Sequence, residues 1–134
     1  MSVTFAQGFS AAGVAAGISA VEGKKDMALV VNNGPLDAAA AVFTTNRFCA
    51  APVQWSRKVV ADGHVKAVLL NSGGANACTG KPGYEQSQAT AEKVAELLGA
   101  SANDVAVCST GLIGELLPLD HVLSGTEAAF AALS

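Results

Sequence analysis

The chain has 134 residues, a net charge of −3, 51% hydrophobic residues and only 14% charged ones. That excludes a disordered chain, which needs low hydrophobicity and high net charge, and the length fits one domain with a real core. The acidic balance, a pI near 5.2 and 5% aromatic residues offer nothing to nucleic acid, to an anionic membrane surface or to base stacking.

A mean hydropathy of +0.39 is high, but it comes from Ala, Gly and Val. Apolar stretches such as 27–31 and 38–43 fall far short of the roughly 20 residues that span a bilayer. No basic region precedes an apolar run at the N-terminus, so no signal peptide is expected. Cys49, Cys78 and Cys108 form no CxxC pair, and His64 and His121 complete no zinc motif with them. They read as free, buried thiols of a reducing cytoplasm, with no metal.

In chain order, residues 1–25 are rich in Ala and Gly. Interior glycine is costly in a helix, so extended or irregular backbone is predicted. Residues 27–32 (MALVVN) form a continuous apolar run of strand length, which predicts a strand covered on both faces. Asn33-Gly34-Pro35 is a turn signal, and 38–46 (AAAAVFTTN) reads as the second arm of a hairpin. Residues 50–55 alternate, with Ala51, Val53 and Trp55 on one side, and predict a third strand. Ser56 would then N-cap a short helix through Ala61. Residues 65–70 predict a central fourth strand. A helix follows over 84–98, with Ala91, Val94, Ala95 and Leu98 as its apolar stripe and Gly99 as its stop. Residues 105–108 predict a short fifth strand. Residues 120–133 predict a helix in two pieces, restarted after Gly125 by a Ser124–Glu127 capping box. The whole reads as one domain, 1–134, with no internal boundary. An end inside or just after a helix implies a polypeptide that continues.

Two segments leave the C-terminal ends of predicted buried strands, where sheet-and-helix folds usually bind ligands. In NSGGANACTG (71–80), Gly73 and Gly74 would let a ligand approach backbone N–H groups, with Asn71 and Asn76 supplying amides: a cradle for an anion or a developing oxyanion. The alternative is a glycine turn capped by the two Asn side chains. The P-loop and GxGxxG patterns are both absent. In STG (109–111), the Thr110 hydroxyl and the Gly111 N–H are two donors of the kind a tetrahedral oxyanion needs. The alternative is a turn whose hydroxyls satisfy neighbouring backbone. Candidate nucleophiles are poor. Cys78 and Cys108 adjoin the loops, but no sequence argument brings a histidine base to either. Asp26, Asp37, Glu115 and Asp120 read as turn and cap residues. The chain thus carries a stabilising site without its reactive group.

Taken together, DMALVVN (26–32), AAAVFTTNRFCAAPV (39–53), AVLLNSGGANACTG (67–80) and VCSTGLIGELLP (107–118), with GFSAAGVAAGI (8–18) before them, closely resemble the N-terminal part of the ornithine acetyltransferase family, the bifunctional glutamate N-acetyltransferases of arginine biosynthesis. The resemblance implies an α+β fold: a mixed sheet with helices packed on it, part of an αββα sandwich of the DmpA type. It implies a precursor that cuts itself before an internal Thr, which becomes the N-terminal nucleophile of a β-chain. Acetyl would pass from N-acetylornithine to that Thr and then to glutamate, with acetyl-CoA as a further donor and no bound cofactor. Thr110 and Gly111 would be the oxyanion hole, and two α and two β chains the cytoplasmic assembly. The family's Thr-Thr-Asp segment, its substrate-contacting Lys and its KG…M…P…AT cleavage motif do not occur before Ser134. The chain alone is therefore expected to be inactive. A scaffold that keeps the loops without catalysis is the second reading, and an unrelated anion-binding domain the third.

Overall fold

The computed structural model describes residues 3–134. Four strands, β1 (Phe9–Val14), β2 (Met27–Asn32), β3 (Ala67–Gly74) and β4 (Val105–Leu112), form one mixed sheet in the order β1-β2-β3-β4. β2 runs antiparallel to both β1 and β3, whereas β4 is parallel to β3. Helices α1 (Ala51–Val59), α2 (Gly80–Leu98) and α3 (Leu119–Ala131) complete the α+β fold. A parallel neighbour requires a crossover, and α2 provides it between β3 and β4.

The helices cover one face of the sheet. Strand side chains alternate between faces, and Met27, Leu29 and Val31 of β2, Ala67 and Leu69 of β3, and Val105 and Val107 of β4 join Trp55, Val94, Val122 and Ala129 in one core. The registers pair Leu29 with Leu69 and Leu69 with Val107, so those three stand in a row. The opposite face carries Ala28, Val30, Val68, Leu70, Cys108 and Thr110, and most of it is half-buried or exposed.

Several sequence expectations change. Residues 50–55 open helix α1. Its buried positions are Ala51, Pro52, Trp55, Ser56 and Val59, a 3.6-residue spacing that only superficially resembled alternation. Pro52 in the first turn costs a helix nothing but would cost a central strand a hydrogen bond. Ser56 is accordingly no N-cap. Its Oγ, buried inside α1, donates to Val107 O at 2.7 Å and accepts from Val107 N at 2.9 Å, serving β4 as a neighbouring strand would. The Trp55 indole N–H reaches Val105 O at 2.9 Å. Residues 38–46 form no strand: Ala38 makes one isolated bridge to His64, and Val42 is 98% exposed. The turn at Asn33-Gly34 exists, with Gly34 N donating to Asn32 Oδ1, but β2 turns back on β1 and β3 and no hairpin follows.

β3 and β4 are longer than predicted and run through NSGG and STG, so both segments are strand ends rather than loops. α2 begins at Gly80, four residues early, and ends at Gly99 in the left-handed conformation (φ 63°), as expected. α3 is continuous. Gly125 does not break it; a Cβ there would overlap Ala16 Cβ and sit 3.0 Å from Met27 Sδ. The glycine exists for close packing, and the Ser124 hydroxyl donates to His121 O instead of capping. The three cysteines are free, but Cys78 and Cys108 are exposed and Cys49 is half-buried, against the buried thiols expected. Among the described residues, no helix is long and apolar enough to cross a membrane.

Candidate functional site

β3 and β4 end side by side on the open face of the sheet. Their parallel register sets Ser72 beside Thr110 and Gly73 beside Gly111. Thr110 and Gly111 are both exposed. A shallow cavity of about 470 Å³ opens at this place, with Lys25, Ala28, Leu70, Ser72, Cys108 and Thr110 in its wall. The hydroxyls of Ser72 and Thr110 thus share one face and one cavity. Neither histidine lines it. His121 is engaged elsewhere, its Nδ1 2.9 Å from Gly17 O.

The glycines are required here. Gly111 has φ 132° and Gly73 φ 129°, values L side chains rarely adopt. A Cβ on Gly111 would overlap the carbonyl group of Gly73, and one on Gly73 would lie 2.7 Å from Ile18 O. Three backbone segments therefore touch at one point: residues 18–19, Gly73 and Gly111. A Cβ on Gly74 would lie 2.6 Å from Leu117 Cδ2.

Asn71 and Asn76 are both buried and engaged within the chain. Asn71 Nδ2 donates to Gly74 O at 3.1 Å, and its Oδ1 accepts from Ser109 Oγ at 2.6 Å, which ties β3 to β4 directly beneath Thr110. Asn76 is fully buried and adopts φ 48°. Its Nδ2 donates to Gly83 O (2.8 Å) and Ser87 Oγ (3.2 Å), while Thr79 Oγ1 donates to its Oδ1 (2.7 Å). It clamps the start of α2 and does not face the cavity. Of the six sequence candidates, the structure brings Thr110, Gly111 and Gly73 together, holds Asn71 and Gly74 next to them as framework, and sets Asn76 apart.

Two residues near the site were not singled out by sequence. Ser72 lay inside NSGG without an assigned role; its pairing with Thr110 depends on the β3–β4 register. Asp26 read as a turn residue, yet it is 3% exposed and accepts from Ala16 N (2.6 Å), Ile18 N (2.7 Å) and Ser19 N (2.8 Å). Burial alone would raise its pKa. The backbone donors of Ser19, Ala16 and Ile18 outweigh that and hold it below the ordinary 3.8. Cys108 stands two residues before Thr110 on the same face. Although the residue is exposed, partial burial of the thiol pushes its pKa up, which disfavours the thiolate a nucleophile requires. Among the described residues, no three His, Cys, Asp or Glu side chains converge to hold a metal ion.

Comparison with known proteins gives this arrangement a family. The ArgJ family model matches residues 10–134. The chain belongs to the ArgJ family. It is 84% identical, over all 134 residues, to the arginine biosynthesis bifunctional protein ArgJ of Bifidobacterium longum, and it covers 34% of that protein. The ArgJ of Streptomyces coelicolor is 61% identical over 134 residues, with 35% of it covered. This chain thus spans about a third of the length of the curated ArgJ relatives it matches. Among solved structures, it superposes on an ornithine acetyltransferase of Mycobacterium tuberculosis, complexed with ornithine, with a TM-score of 0.96 and 52% identity, covering 98% of this chain and 70% of that one. A Bacillus halodurans ArgJ gives a TM-score of 0.88 at 37% identity, covering 98% of this chain and 71% of that one.

Proposed function

We propose that this chain is the N-terminal α-chain segment of an acetyltransferase of arginine biosynthesis, which moves an acetyl group from N-acetylornithine to glutamate through an acetyl-threonine, and that the segment supplies the oxyanion hole. The observation that carries the reading is the exposed Thr110–Gly111 pair at the end of β4: the Thr110 hydroxyl borders the cavity and Gly111, the next residue, offers an N–H with no side chain beside it, on a backbone shared with an ornithine acetyltransferase.

The mechanism follows from what the site has and lacks. The cavity wall offers hydrogen-bond donors, and its only thiol is disfavoured as an anion. Such a surface stabilises charge that develops on a carbonyl oxygen but does not attack the carbonyl. The attacking group in this reading is a Thr outside these 134 residues, with its own amine as base. As that Thr adds to the acetyl carbonyl, the oxygen becomes anionic. The Thr110 hydroxyl and the Gly111 N–H donate to it, ornithine leaves, and glutamate reverses the sequence to take the acetyl group. Acetyl-CoA as a donor to glutamate would use the same site.

The lengths of the relatives support a cut precursor. The chain covers 34% of the Bifidobacterium protein but 70% of the solved Mycobacterium chain, so the solved chain is about half as long as the curated one. A precursor split once near its middle gives chains of that size. The open face of the sheet, with Leu70 and Phe9 exposed, is where the second layer of an αββα sandwich would pack. We place the assembly, two α and two β chains, in the cytoplasm, and take 1–134 as one structural unit without an internal boundary.

The deciding experiment uses the full-length protein that contains this sequence. Thr110→Ala should lower turnover about 10²–10³-fold, the usual cost of one oxyanion donor, with little change in KM. Turnover within about threefold of wild type would refute the role of Thr110.

A further inference from the structure

We infer that Asp26 is a positioning residue for the Thr110–Gly111 site: it holds residues 16–19 and Ser72 around Gly73 and thereby fixes the backbone of Gly111. The inference rests on the reading of Thr110 and Gly111 as oxyanion donors.

Asp26 immediately precedes β2 and reaches the site along two routes. Its carbonyl oxygen accepts from Ser72 N at 2.8 Å, and Ser72 is the register partner of Thr110. Its carboxylate gathers the N–H groups of Ala16, Ile18 and Ser19 within 2.8 Å. Those donors bend the chain so that Ile18 O and Ser19 N come against Gly73, and Gly73 in turn touches Gly111. Neither contact leaves room for a Cβ, so the segment, Gly73 and Gly111 have little freedom to move independently. Asp26 also borders the cavity that contains Thr110. From the other side, His121 Nδ1 meets Gly17 O, and Gly125 admits Ala16, so α3 backs the segment that Asp26 gathers. A turn residue would need one of these bonds. A carboxylate that accepts three N–H groups while its own carbonyl ties the neighbouring strand is placed to set the position of what it surrounds. Oxyanion donors are sensitive to such placement, since misplacement by about 1 Å can cost on the order of a hundredfold in rate.

The test is carried out on the full-length enzyme with three proteins: wild type, Thr110→Ala and Asp26→Asn. Acetyl-enzyme formed in the first turnover with N-acetylornithine counts the competent sites, and turnover is then expressed per counted site. An amide at position 26 keeps the shape but sets an NH₂ against a backbone N–H. Turnover per site in Asp26→Asn should fall about ten- to a hundredfold, with KM for N-acetylornithine within about threefold of wild type. A merely structural role predicts fewer competent sites, each turning over at the wild-type rate; that result overturns the inference. So does a collapse in Thr110→Ala with Asp26→Asn unaffected, which leaves the oxyanion reading intact. An unaffected Thr110→Ala overturns the oxyanion reading and this inference with it. Should Asp26→Asn fail to fold, Asp26→Glu replaces it under the same criteria, because it keeps the charge and shifts the oxygens by one methylene.

Discussion

Asn76 offers a sharp test of framework against ligand. The side chain is fully buried and takes part in three hydrogen bonds, with Gly83 O, Ser87 Oγ and Thr79 Oγ1, while its backbone sits at φ 48°. Asn76→Ala removes all three bonds at once. Each is worth about 1 kcal/mol net, and Ala in the left-handed region adds roughly another 1 kcal/mol. The expected loss is therefore about 4 kcal/mol, a large part of a domain's total of about 5–15 kcal/mol. Asn76→Gly loses the same bonds without the left-handed penalty, though its unfolded state is more flexible, so it should lie above the Ala variant by about 0.5 kcal/mol or more. Urea unfolding followed by the fluorescence of the single tryptophan, Trp55, buried between α1 and β4, measures both. With a slope of about 2 kcal/mol per M, the Ala midpoint should drop by about 2 M. A loss under about 1 kcal/mol would refute the clamp, and would return Asn76 to the ligand-binding candidates.

Other outcomes follow from the same geometry. Ser56→Ala leaves the buried N–H and C=O of Val107 without their partner and should cost about 2–3 kcal/mol in the same urea assay. Gly125→Ala would ordinarily stabilise a helix interior by about 1 kcal/mol; here the new Cβ meets Ala16 and Met27, so the Tm should fall instead of rise. Because the folded pKa of Asp26 lies below its ordinary 3.8, its contribution is fully present above that value and is lost as pH falls through the folded pKa. The stability gap between wild type and Asp26→Asn should therefore stay constant from pH 7 to about pH 5 and narrow only below 3.8. The purified 134-residue chain should transfer no acetyl group from N-acetylornithine to glutamate, as radiolabelled donor would reveal, since the nucleophile of the proposed mechanism lies outside it.

Elements whose physical signals are local were legible in the chain before any folding. MALVVN is apolar at every position but its last, and it became β2, an interior strand, although only the face of Met27, Leu29 and Val31 is buried and the other is half-buried, where cover on both faces was expected. The stripe Ala91, Val94, Ala95 and the stop at Gly99 defined α2, because a 3.6-residue period and a left-handed glycine need no knowledge of neighbours. STG and NSGG stood out because glycine beside hydroxyl and amide is unusual after a buried strand, and the long motifs carried the family. What the sequence could not decide depended on partners distant along the chain. Residues 50–55 satisfy two periods over so short a window, and only packing against β4 made them a helix. Residues 38–46 have strand composition but make only the isolated bridge of Ala38 to His64. Gly125 looked like a break until Ala16 came to rest on it. Asp26 looked like a turn residue because its three donors lie seven to ten residues earlier, on a segment whose course depends on Gly73. The meeting of Thr110 with Ser72, and of Gly111 with Gly73, is a matter of β3–β4 register across 38 residues. A chemical site is a convergence of residues in space, and the one proposed at Thr110 and Gly111 can form only once α2 has carried the chain from the end of β3 back to the start of β4.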